Sequence, residues 1–557
     1  MSLEVLMFRN LTCRSACLVG FTALMLFGMV GVKPSNAATV ITVTATADDA
    51  LANGNCTLRE AVAAANTDQP VDACPAGSGT DTIRLAASTY PITLGELTIS
   101  TQMTVIGKAR AGSVIAGDLT ADTGPAMFHV LVSGNLTASN LTVSDSYSAF
   151  LNYGKLVLSK VTVSQSKHEW ISNLFAANGL DNHGTAKATN TLFVNDGDGI
   201  GFYEFGASNV AGSIGSKTTL SNVQIQTVGG GFYAPDFAVK SAGTMTLTNV
   251  LFDGAGRGDY GGAMGLFNSG TFTATALTII NGGPAYGPGI SVVNTGIAKF
   301  SRLNIDGADG VANGGTLSMT DSSIQHVYGG RSNGRLIDNS GTITLTRTTI
   351  ANTYTNTGAI YNTGTASLLN VTLANNIGQF DLYADVAFEG AGAIDNYGTV
   401  TIRNSTIVGN SFEGDGSITS QSSGGVVTHS GATTTMSNSI LANNIAGVDG
   451  LIANDCNGTI QSLDYNLIED IQGCTITGVQ TGNIFGSDPL LGPLQDNGGK
   501  SLTMMPTVGS PTIDSGNPAT PSMAAARCAP TDQRNIKRPR DGDLDTIARC
   551  DIGAVEV

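Results

Sequence analysis

Acidic residues at alternate positions are the first candidates for chemistry. "DGDLD" sets Asp541, Asp543 and Asp545 at i, i+2 and i+4 of one short loop, and Asp551 follows the last cysteine. Hard oxygen ligands at that spacing suit calcium, although the distal Glu of an EF-hand loop is missing; a solvated acidic turn is the competing reading. "NDGDGIGF" places Asp196 and Asp198 beside aromatic residues. They are the best candidates for the paired carboxylates that cleavage of a glycosidic bond requires. Two aspartates in a glycine-rich turn are more often solvated, however, and His129, His168, His183, His326 and His429 are dispersed rather than gathered near them. The residue types therefore favour calcium over catalysis and imply no other cofactor.

Aromatic residues in long connections are the second group. "SKHEWISNLFAANG", "DGDGIGFYEFGASNVAG" and "NIGQFDLYADVAFEGAG" carry Trp170, Tyr203, Phe205 and Tyr383. Rings held on a polar surface stack on sugars or anchor a protein partner. The plainer alternative is that they tuck each loop onto the wall beneath it.

Something must position these loops, and a repeat does so. Phrases such as "LDNHGTAKATNTLF", "IDNSGTITLTRTTI", "IYNTGTASLLNVTL" and "IDNYGTVTIRNSTI" align on the glycine of N-x-G. The markers are Gly134, Gly154, Gly184, Gly215, Gly243, Gly270, Gly296, Gly315, Gly341, Gly364, Gly398 and Gly431, a spacing that belongs to solenoids. After Gly398, Val400 and Ile402 alternate with Thr401 and Arg403, so each unit reads as strand rather than helix. Such short strands bury a core only when stacked coil on coil. Asn140, Asn190, Asn249, Asn370 and Asn404 lie six residues past their glycines. They are expected to form a hydrogen-bonded ladder at one bend, with the marker glycine supplying positive φ at the other. The expected fold is all-β: a right-handed parallel β-helix. Long units place their extra residues after the second strand, so the insertions should leave along one edge.

The ends read differently. "CTLREAVAAAN" is helical, with Thr57 as cap and Leu58, Ala61, Val62 and Ala65 on one face, and it would close the first coil. Arg9 and Arg14 precede an apolar run from Ala16 to Val32, and Ser35-Asn36-Ala37 supplies a cleavage site after Ala37. An uncleaved membrane anchor is the alternative. Export into an oxidising compartment pairs the remaining cysteines locally, as Cys56–Cys74, Cys456–Cys474 and Cys528–Cys550. The organisation expected is a signal peptide over 1–37, cap and first coils over 38–110, solenoid over 111–450 and a C-terminal region over 451–557. With 41% hydrophobic residues the chain is too apolar for disorder, and a net charge of −16 excludes nucleic acid and anionic lipid as partners.

"CTLREAVAAAN" resembles the CSLREA-type motif of exported bacterial proteins, with Thr57 in place of the usual Ser. "GSPTIDSG" followed by "TDQRNIKRPRDGDLDTIARCDIGAVEV" resembles the choice-of-anchor Q domain, departing from it at Asn535 and Val555. The N-x-G phrases are more loosely similar to chlamydial polymorphic outer-membrane protein repeats. These resemblances imply export and surface display and name no reaction. The expectation is a non-enzymatic surface or extracellular protein that contacts a glycan, a matrix or a surface protein. A carbohydrate-active β-helix enzyme is the alternative.

Overall fold

The structure is a computed structural model that describes residues 38–117, 126–146, 148–165, 178–195, 208–227, 237–254, 264–280, 290–308, 310–327, 334–379, 390–413, 421–447 and 452–557. Forty-two strands form one continuous array in which coil after coil pairs in parallel, and a second sheet of five strands runs beside it. This is the parallel β-helix that the repeat predicts.

One coil illustrates the build. The first strand, Ile337–Asn339, turns at Ser340-Gly341 into the second, Thr342–Thr346; a corner at Arg347 leads to the third, Thr349–Ala351. Alternation puts Ile343 and Leu345 in the core and Thr342, Thr344 and Thr346 outside. The next coil repeats this in register, Thr342 beside Thr365 and Leu345 beside Leu368. Aromatic side chains thicken the interior in places, as where Phe128 stacks on Phe150 at 5.4 Å.

The marker glycines stack, but for a reason other than backbone φ. A Cβ on Gly364 would collide with the carbonyl oxygen of Gly341, and one on Gly341 with that of Gly315; the column continues in this way from Gly154 to Gly398, interrupted only in the coil of Gly215. These residues lack the positive φ expected of them; glycine is needed because successive turns approach too closely for any side chain. Gly215 and Gly431 do have positive φ, 83° and 85°, and stand outside the column with open space around them. Each belongs to a turn with extra residues, in which Ser216 and Ala432 precede the paired residues Lys217 and Thr433.

The asparagine ladder also lies elsewhere than expected. It is built from the Asn of N-x-G itself. Asn268, Asn294, Asn313, Asn339, Asn362 and Asn396 are buried; each Nδ2 from Asn268 to Asn362 donates to the next Oδ1 at 2.7–2.9 Å, and that of Asn396 donates to the Thr434 hydroxyl at 3.0 Å. Each Nδ2 in this run also donates to a backbone carbonyl, so a buried amide that would be costly alone is satisfied. Asn140, Asn190, Asn249, Asn370 and Asn404 occupy the corner between second and third strands in the left-handed region, with φ of 46–55°. Asn tolerates that conformation well, which explains its recurrence there; a side-chain bond between corners, Asn249 to Asn222 at 2.8 Å, is local.

At the N-terminal end the predicted helix is present as Leu58–Thr67. Thr57 and Glu60 form a reciprocal capping box, and Leu58, Ala61, Val62 and Ala65 are buried over the first coil. Cys56–Cys74 fixes it, and Cys456–Cys474 and Cys528–Cys550 pair as expected. From Thr349 onward the coils gain a fourth strand, Tyr354–Thr355, Ile377–Gln379, Ser411–Glu413 and Ile445–Gly447, with its own buried ladder Asn376–Asn410–Asn444–Asp455. After Ile484–Phe485 the chain folds back as a clasp along these coils. Asn370 donates to the Thr531 carbonyl at 2.8 Å, Asn438 to that of Ala526 at 3.0 Å, and Asn404 accepts from the Ala529 amide at 2.8 Å.

Candidate functional site

The outer face of the first-strand sheet carries the most varied side chains, and register decides which of them meet. Asp338, Tyr361 and Asp395 form one outward column in consecutive coils. The variable residue of N-x-G forms the neighbouring column: Thr295, Gly314, Ser340, Thr363 and Tyr397. Four small residues in succession leave a trough of about 400 Å³, floored by them and Ala312 and walled by Arg335, Asp338 and Tyr361. Its size is within the range of small-molecule sites.

The wall is a continuous run of interactions along the solenoid. Arg335 Nη1 donates to Asp338 Oδ2 at 3.0 Å while its guanidinium lies 3.4 Å from the centre of the Tyr361 ring. Tyr361 meets Tyr397 at 5.4 Å, and Tyr397 stacks on His429 at 3.7 Å, nearly parallel. His429 Nε2 lies 2.7 Å from Asp395 Oδ1, and both side chains are almost fully buried. Asp338 is 40% exposed at the trough and within reach of a ligand; Asp395 is committed to its histidine. Far upstream the same face carries a second stack: His129, Tyr153 and His183 at 5.7 and 4.6 Å, with Glu96 and Asp181 beside the two histidines. His183 is exposed at the end of this stack.

Trp170, Tyr203, Phe205 and Tyr383, with Asp196 and Asp198, lie outside the described residues, as does the segment 1–37. The connections of Trp170, Tyr203 and Phe205 leave a third strand, as between Thr162–Gln165 and Asn178–Asn182, and that of Tyr383 leaves the fourth strand Ile377–Gln379; all re-enter a first strand, so the insertions share one seam at the entry to that strand. Among the described residues, no helix is long and apolar enough to cross a membrane.

The acidic loop is folded onto the clasp. Asp541 and Asp543 come together with Asp514, each offering an oxygen within 4.8 Å of the others. Asp514 Oδ2 accepts from the Gly542 and Asp543 amides at 2.8 and 3.0 Å, Oδ1 accepts from Arg549, and Asp541 Oδ1 is buried without a partner. Asp545 stands apart and accepts from the Ile547 amide at 2.8 Å. Behind this group, burial pushes Asp551 up to about 6 against the donors Asp514 N and Val557 N. Glu556 is pushed up to about 7, chiefly by burial and also by Asp551, while Arg538, 3.0 Å away, pulls the other way.

Arg335, Asp338 and Asp514 escaped the sequence reading. Asp514 was visible only as a letter of "GSPTIDSG". The trough had a signal: the N-x-G filler changes from Tyr and His to Thr, Gly and Ser and back again.

No family model matches the chain, and no curated relative matches it. Among solved structures it is similar to the catalytic domain of Agl-KA, at 14% identity over 81% of this chain and 69% of that one, with a TM-score of 0.33. Tailspike protein 3 of bacteriophage CBA120 is similar at 13% identity over 69% of this chain and 58% of that one, with a TM-score of 0.27. Likenesses this remote carry no argument about activity or ligand.

Proposed function

We propose that this is an exported, non-enzymatic surface or extracellular β-helix protein that contacts glycans through the trough beside Arg335. The observation that carries the reading is the trough itself. It combines hydroxyl-bearing side chains in register, a guanidinium–carboxylate pair able to bond neighbouring sugar hydroxyls, and a ring wall. The aromatic insertions with Trp170, Tyr203, Phe205 and Tyr383 are attached along the seam where first strands begin, and the reading assigns them to the same contact. The CSLREA-type and choice-of-anchor Q-like ends add support for export and display. The test is a glycan array probed with the full chain and with Arg335→Ala and Tyr361→Ala. Both variants should lose most of the signal while keeping the circular dichroism spectrum, and equal binding by all three proteins would reject the trough. Incubating the wild type with the bound polysaccharide, and following new reducing ends, separates contact from cleavage.

We also infer that Asp514, Asp541 and Asp543 hold calcium, the unpartnered Asp541 oxygen being one ligand atom. Calcium at millimolar concentration should then raise the thermal midpoint of the clasp, and Asp541→Asn should cancel the rise; an unmoved wild-type midpoint removes the site.

A further inference from the structure

We propose that the outer face of the second-strand sheet binds ice. Thr316, Thr342, Thr365, Thr399 and Thr433 are Cα partners in five consecutive coils, and a parallel rank two residues on runs from Ser318 through Thr344 to Thr435. Every position in both ranks is Thr or Ser; the first rank is exposed and the second half-exposed. Among the described residues, none of their hydroxyls is engaged in a hydrogen bond within the protein. Upstream, Thr244 and Thr246 and then Thr271 and Thr273 continue the pattern beyond one interrupted coil, that of Ile297 and Lys299.

The spacing follows from β geometry. Neighbouring coils set the hydroxyls about 4.8 Å apart, and the two-residue period along each strand sets them about 6.6 Å apart. The pairing shows no register shift through these coils, so the two repeats define a near-rectangular grid. Threonine is stiff at χ1, so both hydroxyl and methyl are held in place before any ligand arrives, and little entropy is lost on binding. A target that matches a grid must itself repeat in two directions. A soluble chain repeats in one direction, and a folded protein without internal repeats in none. The oxygen layers of ice repeat in two, at distances close to these. Crystalline polysaccharide also repeats in two directions, but these ranks offer no aromatic ring for a sugar face.

The preference of strands for threonine does not by itself account for the pattern. The same two ranks carry Lys155, Val157, Lys187 and Lys217 in earlier coils, so the fold accepts charged and bulky residues there. Over the five consecutive coils from Thr316 to Thr435, as in the two of Thr244 and Thr271, they are excluded from both ranks. The clasp borders this area without covering it: Arg403 and Ser437, in the next rank, bond to the carbonyls of Met523 and Ala525.

The test is partition of the purified full chain into a slowly grown ice hemisphere, with thermal hysteresis measured on the same sample. Wild-type protein should be enriched in the ice fraction and should shape growing crystals. Thr344→Tyr, which raises a ring from the middle of the grid, should abolish both effects with the thermal midpoint unchanged; Thr401→Tyr repeats the test should the first variant unfold. Ser164→Tyr, on the third-strand sheet, should behave as wild type. Exclusion of the wild type from ice overturns the proposal, as does full activity of folded Thr344→Tyr. Retention on microcrystalline cellulose without enrichment in ice overturns it in favour of a crystalline glycan.

Discussion

The coils between Asn178 and Gln325 and those between Thr349 and Gly447 are written in the same phrase and end in different surroundings. In the earlier set no coil has a fourth strand among the described residues, second and third strands running on as one in four coils such as that of Ile297–Asp306, and outward residues near the end of the last strand, such as Asp306 and Gln325, reach solvent. In the later set Thr349–Ala351, Thr372–Ala374, Thr406–Val408 and Ile440–Ala442 are buried on both faces. Val408, Ile440 and Ala442 join Leu467 and Ile552 in a second apolar cluster under the clasp. One corner residue shows how this arises: Asn249 spends its side chain on Asn222, whereas Asn370 reaches out to Thr531. Holding a coil together is the task of the inner ladder and the glycine column, which both regions share; being covered depends on what the outward atoms find.

The comparison can be broken at its shared element first. Gly341→Val puts a branched side chain where the Gly315 carbonyl sits, and the coils cannot separate without losing their ladder. It should abolish the cooperative unfolding transition or prevent soluble expression, whereas Gly431→Ala, which meets only the strain of positive φ, should cost about 1 kcal/mol. A smaller effect should divide the regions. Arg403 is buried and donates to the carbonyls of Ser522, Met523 and Arg527. Arg403→Leu strands those acceptors at a cost of roughly 1.5–3 kcal/mol. Limited proteolysis should then cut first between residues 517 and 530, with hydrogen exchange in Thr244–Asp253 unchanged; equal loosening of both would show that the clasp is not a separate layer.

The smallest effect is in pH. Asp551 and Glu556 keep a proton in the folded clasp up to about 6 and about 7, where the unfolded chain has already lost it. The folded state therefore binds more protons between about 4 and 7, and stability falls as pH rises through that window and levels above it. Asp455, pushed up to about 6 by burial at the end of the second ladder, acts in the same direction. Protection of the clasp against protease should be greater at pH 5 than at pH 8, while the earlier coils should differ little. Greater protection at pH 8 would contradict the assignment.

The strand alternation, the capping helix, the disulfides and the seam of insertions were legible because each depends on near neighbours in the chain. The errors concerned partners one coil away. An Asn at the corner and an Asn before the glycine look alike in sequence, and only stacking shows which one faces the interior. Glycine in N-x-G suggested an unusual φ, because the oxygen of the previous coil, which forbids the Cβ, is some twenty to thirty residues distant. The trough was hidden for the same reason: Tyr361 meets Arg335 and Asp338 only once register is set.

By itself the sequence determined the period, and with it the solenoid, since alternating short strands punctuated by N-x-G have no other way to bury their apolar side. The tertiary structure alone decided which outward residues became neighbours, where the chain folded back to cover them, and which carboxylates were drawn out of water. Those outcomes depend on contacts between residues of different coils, and a linear text carries the spacing of such residues but not their meeting.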